Sequence, residues 1–442
     1  QRQMCIRDSH PDGAQMRVRS INGDVLIQSN QGAVLGQDAG AVLISGRNVT
    51  LDNTGAGMLA SMSVGGVSRG SIDNTTGAIV LGDGTSTFST QVTNWWGTTW
   101  VPLGVSLGNF APTGQGNNST AGITATGNLT IGGSSSAAQG LAVNSAISVG
   151  GNINLAGRTS AANTVGLNVA QALTAAGHIR LTGESTNASP GAGLNIGAAV
   201  STTGNSSTTT LTSTTGAVSG AGNITTAAGN TGAITVNTAT AGTLSGVISG
   251  GASLIKQGAG TTTLTGNNSY GGGTTIDAGT VASINSSTAL GTGAVTVNAN
   301  GTLALSTTGT HQPRVANALR GNGNITYTGS TNNQMFLRGG MSEFAGTFTI
   351  SGTGAYIWFN NEGSQLARFV VNTGTVMGLW SNPAVGGVDT GGSSGSNIFN
   401  AGSLTGVGTV LSDFGGTSKQ VSLRVGALNQ NDTFAGVIQN NW

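Results

Sequence analysis

The sequence predicts an all-β chain, a right-handed parallel β-helix with irregular loop insertions. The first observation is a pattern written twice between Gly140 and Gly183. Apolar pairs at Leu141/Val143, Ile147/Val149 and Ile153/Leu155 return at Leu167/Val169, Leu173/Ala175 and Ile179/Leu181, each displaced by 26 positions. Alternation with period two turns one face of each short run inward, and runs this short bury that face only by stacking on another copy. The second observation is that the pattern continues in both directions. Ile123/Ala125 and Leu129/Ile131 precede their counterparts by 24 positions, and Leu194/Ile196 and Val200/Thr202 follow theirs by 27. Fixed strands joined by turns of varying length give that drift. The third is a recurring corner, read at Gly127-Asn128, Gly151-Asn152, Gly177-His178 and Gly222-Asn223, where Gly permits and Asn tolerates positive φ. The strong bias of parallel crossovers sets the expected hand.

Composition agrees with a tight solenoid. Glycine is 77 of 442 residues and charged residues are 7%, as expected where like side chains stack in rows. Such a composition also occurs in disordered chains, but a disordered linker has no reason to keep a regular alternation. A net charge of +1 and dispersed arginines give no basis for nucleic acid as a partner. No apolar run approaches the length of a membrane-spanning helix. Cys5 is the sole cysteine, which leaves no disulfide framework and no cysteine metal site.

Residues 1–9 (QRQMCIRDS) are dense in charge, resemble translated adapter read-through and are set apart from the fold. The authentic N-terminus and any signal peptide are then expected to be missing. From 10 to 243 the coils carry phrases such as Gly-Asp-Val-Leu-Ile and Asn-Val-Thr-Leu-Asp-Asn, with apolar positions at Val25/Ile27, Val34, Val42/Ile44 and Val49/Leu51. These phrases resemble the coils of filamentous-haemagglutinin-like exported proteins. Residues 94–112 interrupt the pattern. Trp95, Trp96 and Trp100 lie there with Phe110, Pro102 and Pro112. They read either as ligand-binding aromatics, a platform for pyranose rings, or as a capping loop packed on the flank, the reading that aromatic burial favours. Thr203 to Thr243 is poor in large apolar residues and should form thin coils. Its Thr208-Thr209-Thr210 run, like Thr261-Thr262-Thr263 further on, reads as β-branched strand filler rather than an ice-binding array.

From 244 to 442 the most specific stretch reads Leu244-Ser245-Gly246-Val247-Ile248, Leu254-Ile255-Lys256-Gln257-Gly258-Ala259-Gly260-Thr261, Leu264-Thr265-Gly266-Asn267-Asn268-Ser269-Tyr270, Gly272, Thr274 and Gly279-Thr280-Val281. The order of Lys256, Gly258, Gly260, Gly266, Asn268, Tyr270 and Gly272 resembles the passenger-associated β-strand repeat of bacterial autotransporters, with Val281 where that family usually has Leu. Phe344-Ala345-Gly346 and Phe434-Ala435-Gly436 resemble further repeat openings, and Leu404 to Val410 a connecting coil. The second opening stands close to Trp442, so the repeat region reads as truncated at its C-terminal end.

Enzymes built on such a scaffold cluster acidic and basic groups on one face, as paired carboxylates or as oxygen ligands for a metal. Here the carboxylates are dispersed. Asp52 and Asp73, 21 positions apart, are near enough to one coil to stack, whereas Glu184, Glu343 and Glu362 stand alone. His10, His178 and His311 are isolated, and no glycine run is followed by the Lys-Ser/Thr of a phosphate loop. The expectation is therefore no enzyme, no catalytic residue, no cofactor and no metal. The resemblance implies a fragment of a secreted passenger on a Gram-negative cell surface, acting as a structural stalk or adhesin. Its implied partners are a host or environmental surface ligand, such as a glycan, and an outer-membrane β-barrel translocator missing from this chain. The alternative is a carbohydrate-binding or polysaccharide-degrading β-helix.

Overall fold

The structure is a computed structural model. It describes residues 139–440 apart from 144–145, 188–191, 332, 381–397 and 413–420, and before them residue 128 and the pairing of the strands from Gln15–Arg19 to Leu129–Ser135. Every regular element among the described residues is a strand. Two compact units are present, Gln1–Gly242 and Thr243–Trp442. Residues 1–9 lie outside the described residues.

In the first unit a coil is three strands meeting at two tight corners, and each strand lies parallel to its counterpart in the next coil. Leu141 pairs with Leu167, and Leu167 with Leu194. Ile147 pairs with Leu173, and Leu173 with Val200. Ile153 pairs with Ile179, and the offset of 24 holds at Ile123↔Ile147 and Leu129↔Ile153. This is the parallel β-solenoid that the repeat spacing predicts. Alternate side chains point inward and form columns, with Leu141, Leu167, Leu194, Ile147, Leu173, Val200, Ile153 and Ile179 all essentially without solvent contact. In the thin coils the same columns continue in threonine: Thr202, Thr209, Thr226 and Thr238 are buried beside Leu211, Val218, Ile234 and Val236. Thr209 is thus strand filler, paired between Ile179 and Ile234.

Register also corrects two expectations. Gly222-Asn223 does not belong to the Gly-Asn corner. It precedes Ile224–Thr226, which pairs with Val200–Thr202 on another face, and the chain offset of about two coils concealed this. The fourth member of the corner is Thr208, before Thr209–Ser213. Asp52 and Asp73 do not stack either. Asp52 lies opposite Gln28 on one face and Asp73 opposite Thr124 on another, because 21 positions do not match a coil in this region.

The pairing divides the interruption expected at 94–112, because Val105–Leu107 lies parallel to Leu141–Val143 as an ordinary rung. Ile79–Leu81 lies directly beside Leu129–Ile131, and the strands Val105–Leu107 and Ile123–Ala125, which fall between them in sequence, are parallel rungs of the other two faces. Thr90–Asn94 and Gly97–Val101 instead pair antiparallel with each other.

The second unit is also a stack of parallel strands, with a different filling. The sequence predicts columns of Val, Ile, Leu and Ala, and this holds through Leu254, Ile276, Val297 and Leu303. Beyond them the interior becomes aromatic. Phe348, Phe359, Phe369 and Phe399 form one packed group, with ring centroids 5.1–6.0 Å apart, and Tyr327 is buried nearby. Large rings fill these coils with fewer side chains, and edge-to-face packing adds to their area burial.

The outer corner of the first unit is a ladder of side chains. Asn128 Oδ1 accepts the Asn152 N–H at 2.8 Å, and Asn152 Oδ1 accepts the His178 N–H at 2.7 Å. His178 Nδ1 in turn accepts the Thr208 N–H at 3.1 Å. Histidine here does the work of asparagine, supplying an acceptor to the coil above. His178→Asn should therefore retain or raise stability to urea, whereas His178→Ala should lower it by about 1 kcal/mol through the unpaired Thr208 amide. Equal midpoints for the two variants would show that the ladder contributes nothing.

Candidate functional site: a polar repeat buried between coils

The repeat singled out in the sequence occupies two successive rungs. Ser253–Gln257 and Thr261–Leu264 form one, and both lie against the long strand Thr274–Ile284 of the next. Alternation sends Leu254 and Lys256 inward and leaves Ser253 and Ile255 partly exposed. Lys256 is 1% exposed.

A buried ammonium needs three acceptors, and the turn supplies them. Lys256 Nζ donates to the carbonyls of Gln257 at 2.6 Å and Gly258 at 2.8 Å, and to Ala278 of the next coil at 3.4 Å. Burial lowers its pKa to about 8, so it remains charged at neutral pH. Two features of the turn make room for it. Gly258 adopts φ of +75°, and at Gly279, with φ of +70°, a Cβ would stand 2.3 Å from the Gly258 oxygen and 2.9 Å from Nζ. Gly260 is buried and accepts the Thr280 N–H at 3.3 Å.

Asn268 ties three coils. Its Oδ1 accepts the Ile248 N–H at 2.7 Å, and its Nδ2 donates to the Ala289 carbonyl at 2.6 Å. Tyr270 is fully buried. Its hydroxyl lies 2.6 Å from Thr274 Oγ1, which donates to the Leu290 carbonyl at 3.1 Å, so the phenol is the donor to the threonine. Burial pushes the Tyr270 pKa well up. The ring lies on Gly291, where a Cβ would meet Cε2 at 2.7 Å. Gly266 and Gly272 lie close against the backbone of the preceding coil, near Gly246 and Ser253.

Lys256, Gly258, Gly260, Gly266, Asn268, Tyr270 and Gly272 are therefore gathered along one pair of coils, and their chemistry is directed at neighbouring backbone. Sequence reading left out Thr274 as a relay and Gly279 and Gly291 as the floors beneath Lys256 and Tyr270. The placement of glycine about one coil after Lys256 and after Tyr270, at positions 279 and 291, was the available signal. The two weaker openings share another geometry. Phe344 and Phe434 each bridge to a glycine with positive φ one coil earlier, Gly321 and Gly406, and the N–H of Ala345 or Ala435 bonds that glycine's carbonyl.

The remaining candidates are dispersed. Trp95 and Trp96 lie outside the described residues, as does His10. Trp100 belongs to the antiparallel strand Gly97–Val101. His311 Nδ1 is 2.9 Å from the Thr308 carbonyl. Among the described residues no group of three or more His, Cys, Asp and Glu side chains lies together. The described carboxylates each engage local partners. Glu184 accepts from Thr214 and Thr215, Asp277 from Asn298, and Glu362 from the amides of Met341 and Ser342. Glu343 pairs with Arg320, and Asp432 with Arg368 and Ser403.

The pH dependence of stability should report on Lys256. An unfolded lysine near 10.5 binds a proton that the folded one, near 8, does not, so stability rises from about pH 8 to pH 10. Above pH 10 the trend reverses, because unfolded tyrosines ionise while Tyr270 and Tyr327, with raised pKa values, do not. Lys256→Met should flatten the rising limb and lower stability at pH 7 by roughly 1–3 kcal/mol, leaving three carbonyls unpaired. Urea unfolding at intervals of half a pH unit checks both; a rising limb that survives the substitution assigns it to another group.

Residues 254–282 match the family model described as the passenger-associated-transport-repeat. No curated protein matches the chain significantly, and no solved structure does. The matched segment begins at Leu254, two residues before the buried lysine, and runs through Gly279 and Val281. That repeat and the parallel β-solenoid that carries it fit an autotransporter passenger with β-strand repeats.

Proposed function

We propose that this chain is the displayed part of a secreted or cell-surface passenger of Gram-negative type, a structural stalk whose outer wall serves adhesion and which performs no catalysis. The observation that carries the reading is where the polar chemistry is spent. Lys256, Asn268 and Tyr270 point into the stack and satisfy backbone groups of adjacent coils. The described carboxylates stand apart from one another, each engaged by neighbouring threonine, asparagine, arginine or backbone groups. Neither arrangement presents the paired acid and base that glycoside hydrolysis uses. A solenoid stabilised by nearest-neighbour interfaces tolerates variation of its outward side chains, because each coil's stability depends on the faces above and below it. Outward positions are then free to carry recognition.

The experiment is display of the chain behind a secretion signal and fused to an outer-membrane β-barrel. The displayed chain should resist external protease as a folded body, confer attachment to a glycan-coated surface and release no reducing ends from polysaccharide. Depolymerisation that disappears on changing one or two aspartates, Asp52 and Asp73 first, would replace this reading with a carbohydrate-active enzyme.

A further inference from the structure

The outer faces of these coils mostly carry small polar side chains, as in the columns Thr302↔Asn324↔Thr347 and Ala304↔Thr326↔Thr349, whose threonines are partly exposed. One face of the second unit departs from this. Its strands are Arg314–Val315, Gln334–Leu337, Tyr356–Phe359 and Val376–Leu379, stacked in parallel with Arg314↔Phe336↔Trp358↔Gly378 in one column. Met335, Leu337, Ile357 and Phe359 fill the interior, so alternation places the Phe336–Trp358 column on the outside. Both rings are nonetheless buried, at 5% and 1% exposure. Trp380 packs against them, with centroids 5.5 Å from Phe336 and 6.4 Å from Trp358. Gly378 makes this fit, since a Cβ there would stand 2.1 Å from the Trp358 ring. The result is a second, external aromatic layer whose outermost indole, Trp380, packs on both rings and is partly exposed, with Tyr356 partly exposed on the rung below.

Two guanidinium groups border this layer. Arg314 is exposed and lies 5.6 Å above the Phe336 ring. Arg338 follows Leu337 by one residue, and its N–H bonds the Val315 carbonyl at 2.8 Å, which puts its backbone on the rung next to Arg314. Its Nε is buried without a hydrogen-bond partner. Among the described residues neither arginine makes an ion pair, whereas Arg320 and Arg368 each have a carboxylate. Planar guanidinium groups bind carboxylates through paired N–H donors. Fixed aromatic rings bind flat apolar faces at small entropic cost.

We propose that this face binds a carboxylated polysaccharide, with Arg314 and Arg338 gripping the sugar carboxylates and Trp380 and Tyr356 carrying the ring faces. The proposal rests on the adhesive reading above and names its ligand class and its site. A polymer of uronic acids supplies both elements in alternation, a carboxylate on every ring and an apolar face on each.

The test is calorimetric binding of the purified chain to polygalacturonate, beside the same polymer with its carboxyls methyl-esterified and beside duplex DNA. Polygalacturonate should bind, more weakly as salt rises. The ester should bind at least tenfold more weakly, and DNA more weakly than polygalacturonate. R338Q should weaken binding several-fold and R314Q/R338Q at least tenfold, with thermal unfolding unchanged. Absence of binding to polygalacturonate overturns the proposal. So does equal binding of the ester or of DNA, or a folded double variant that binds as tightly as the parent. Cells displaying the chain that attach to other glycans independently of both arginines would overturn this site alone and leave the adhesive reading in place.

Discussion

The structure depends on parallel backbone pairing between residues about one coil apart. Once Leu141 is fixed over Leu167, and Leu167 over Leu194, every inward position must stack on its own equivalents. A column then accepts any side chain its neighbours tolerate, including Thr209 between Ile179 and Ile234. The same constraint makes buried polar atoms a shared problem. A polar group pointing inward has no water and must find its partner in the coil above or below. Asn230, Asn268 and Asn317 each donate from Nδ2 to backbone carbonyls of a preceding or following coil. Asparagine carries a donor and an acceptor on one short arm, and it recurs for that reason where chain turns leave carbonyls without strand partners.

Lys256 is the extreme case of the same arrangement. A buried charge is costly unless paired, yet no carboxylate approaches this one among the described residues. Three carbonyl dipoles take that role, two from its own turn and one from the following coil. The glycines around it follow from that choice, since a side chain at Gly279 would fall on both the carbonyl and the ammonium. Lys, Gly and Gly at these spacings are thus one structural unit with a physical reason, and the repeat pattern is the trace it leaves in sequence.

Much of the fold was legible because period-two alternation and a coil-length offset are both visible in a single chain. The offsets of 24, 26 and 27 coincide with observed registers. Where reading failed, the cause was also register. Gly222-Asn223 and the Asp52/Asp73 pair were matched on distance along the chain, and coil length varies enough for such distances to land on different faces. The aromatic filling around Phe348 and Phe369 was hidden because the residues that close on one another come from separate strands of successive coils. The Phe336–Trp358–Trp380 layer was hidden more deeply. Apolar residues on consecutive positions, as in Met335-Phe336-Leu337, break the alternation, and the sequence does not reveal that the odd member packs outside the wall.

These polar ties also bear on how the chain folds. Asn268 is satisfied only when the coil holding Ile248 and the coil holding Ala289 are both in place, and Lys256 has its third acceptor only after Ala278 has been laid down. Each coil therefore ends with unsatisfied groups that the next coil completes. The interface between coils supplies stability that no coil has alone, and the contacts that supply it join residues roughly 20 positions apart, close in sequence for a chain of 442. Such contacts form without long loop closures. A growing stack is then favoured over any rearrangement that leaves an ammonium or an amide buried without its partners, and the cost of those few groups keeps the register of many weakly specified Gly, Ser and Thr positions.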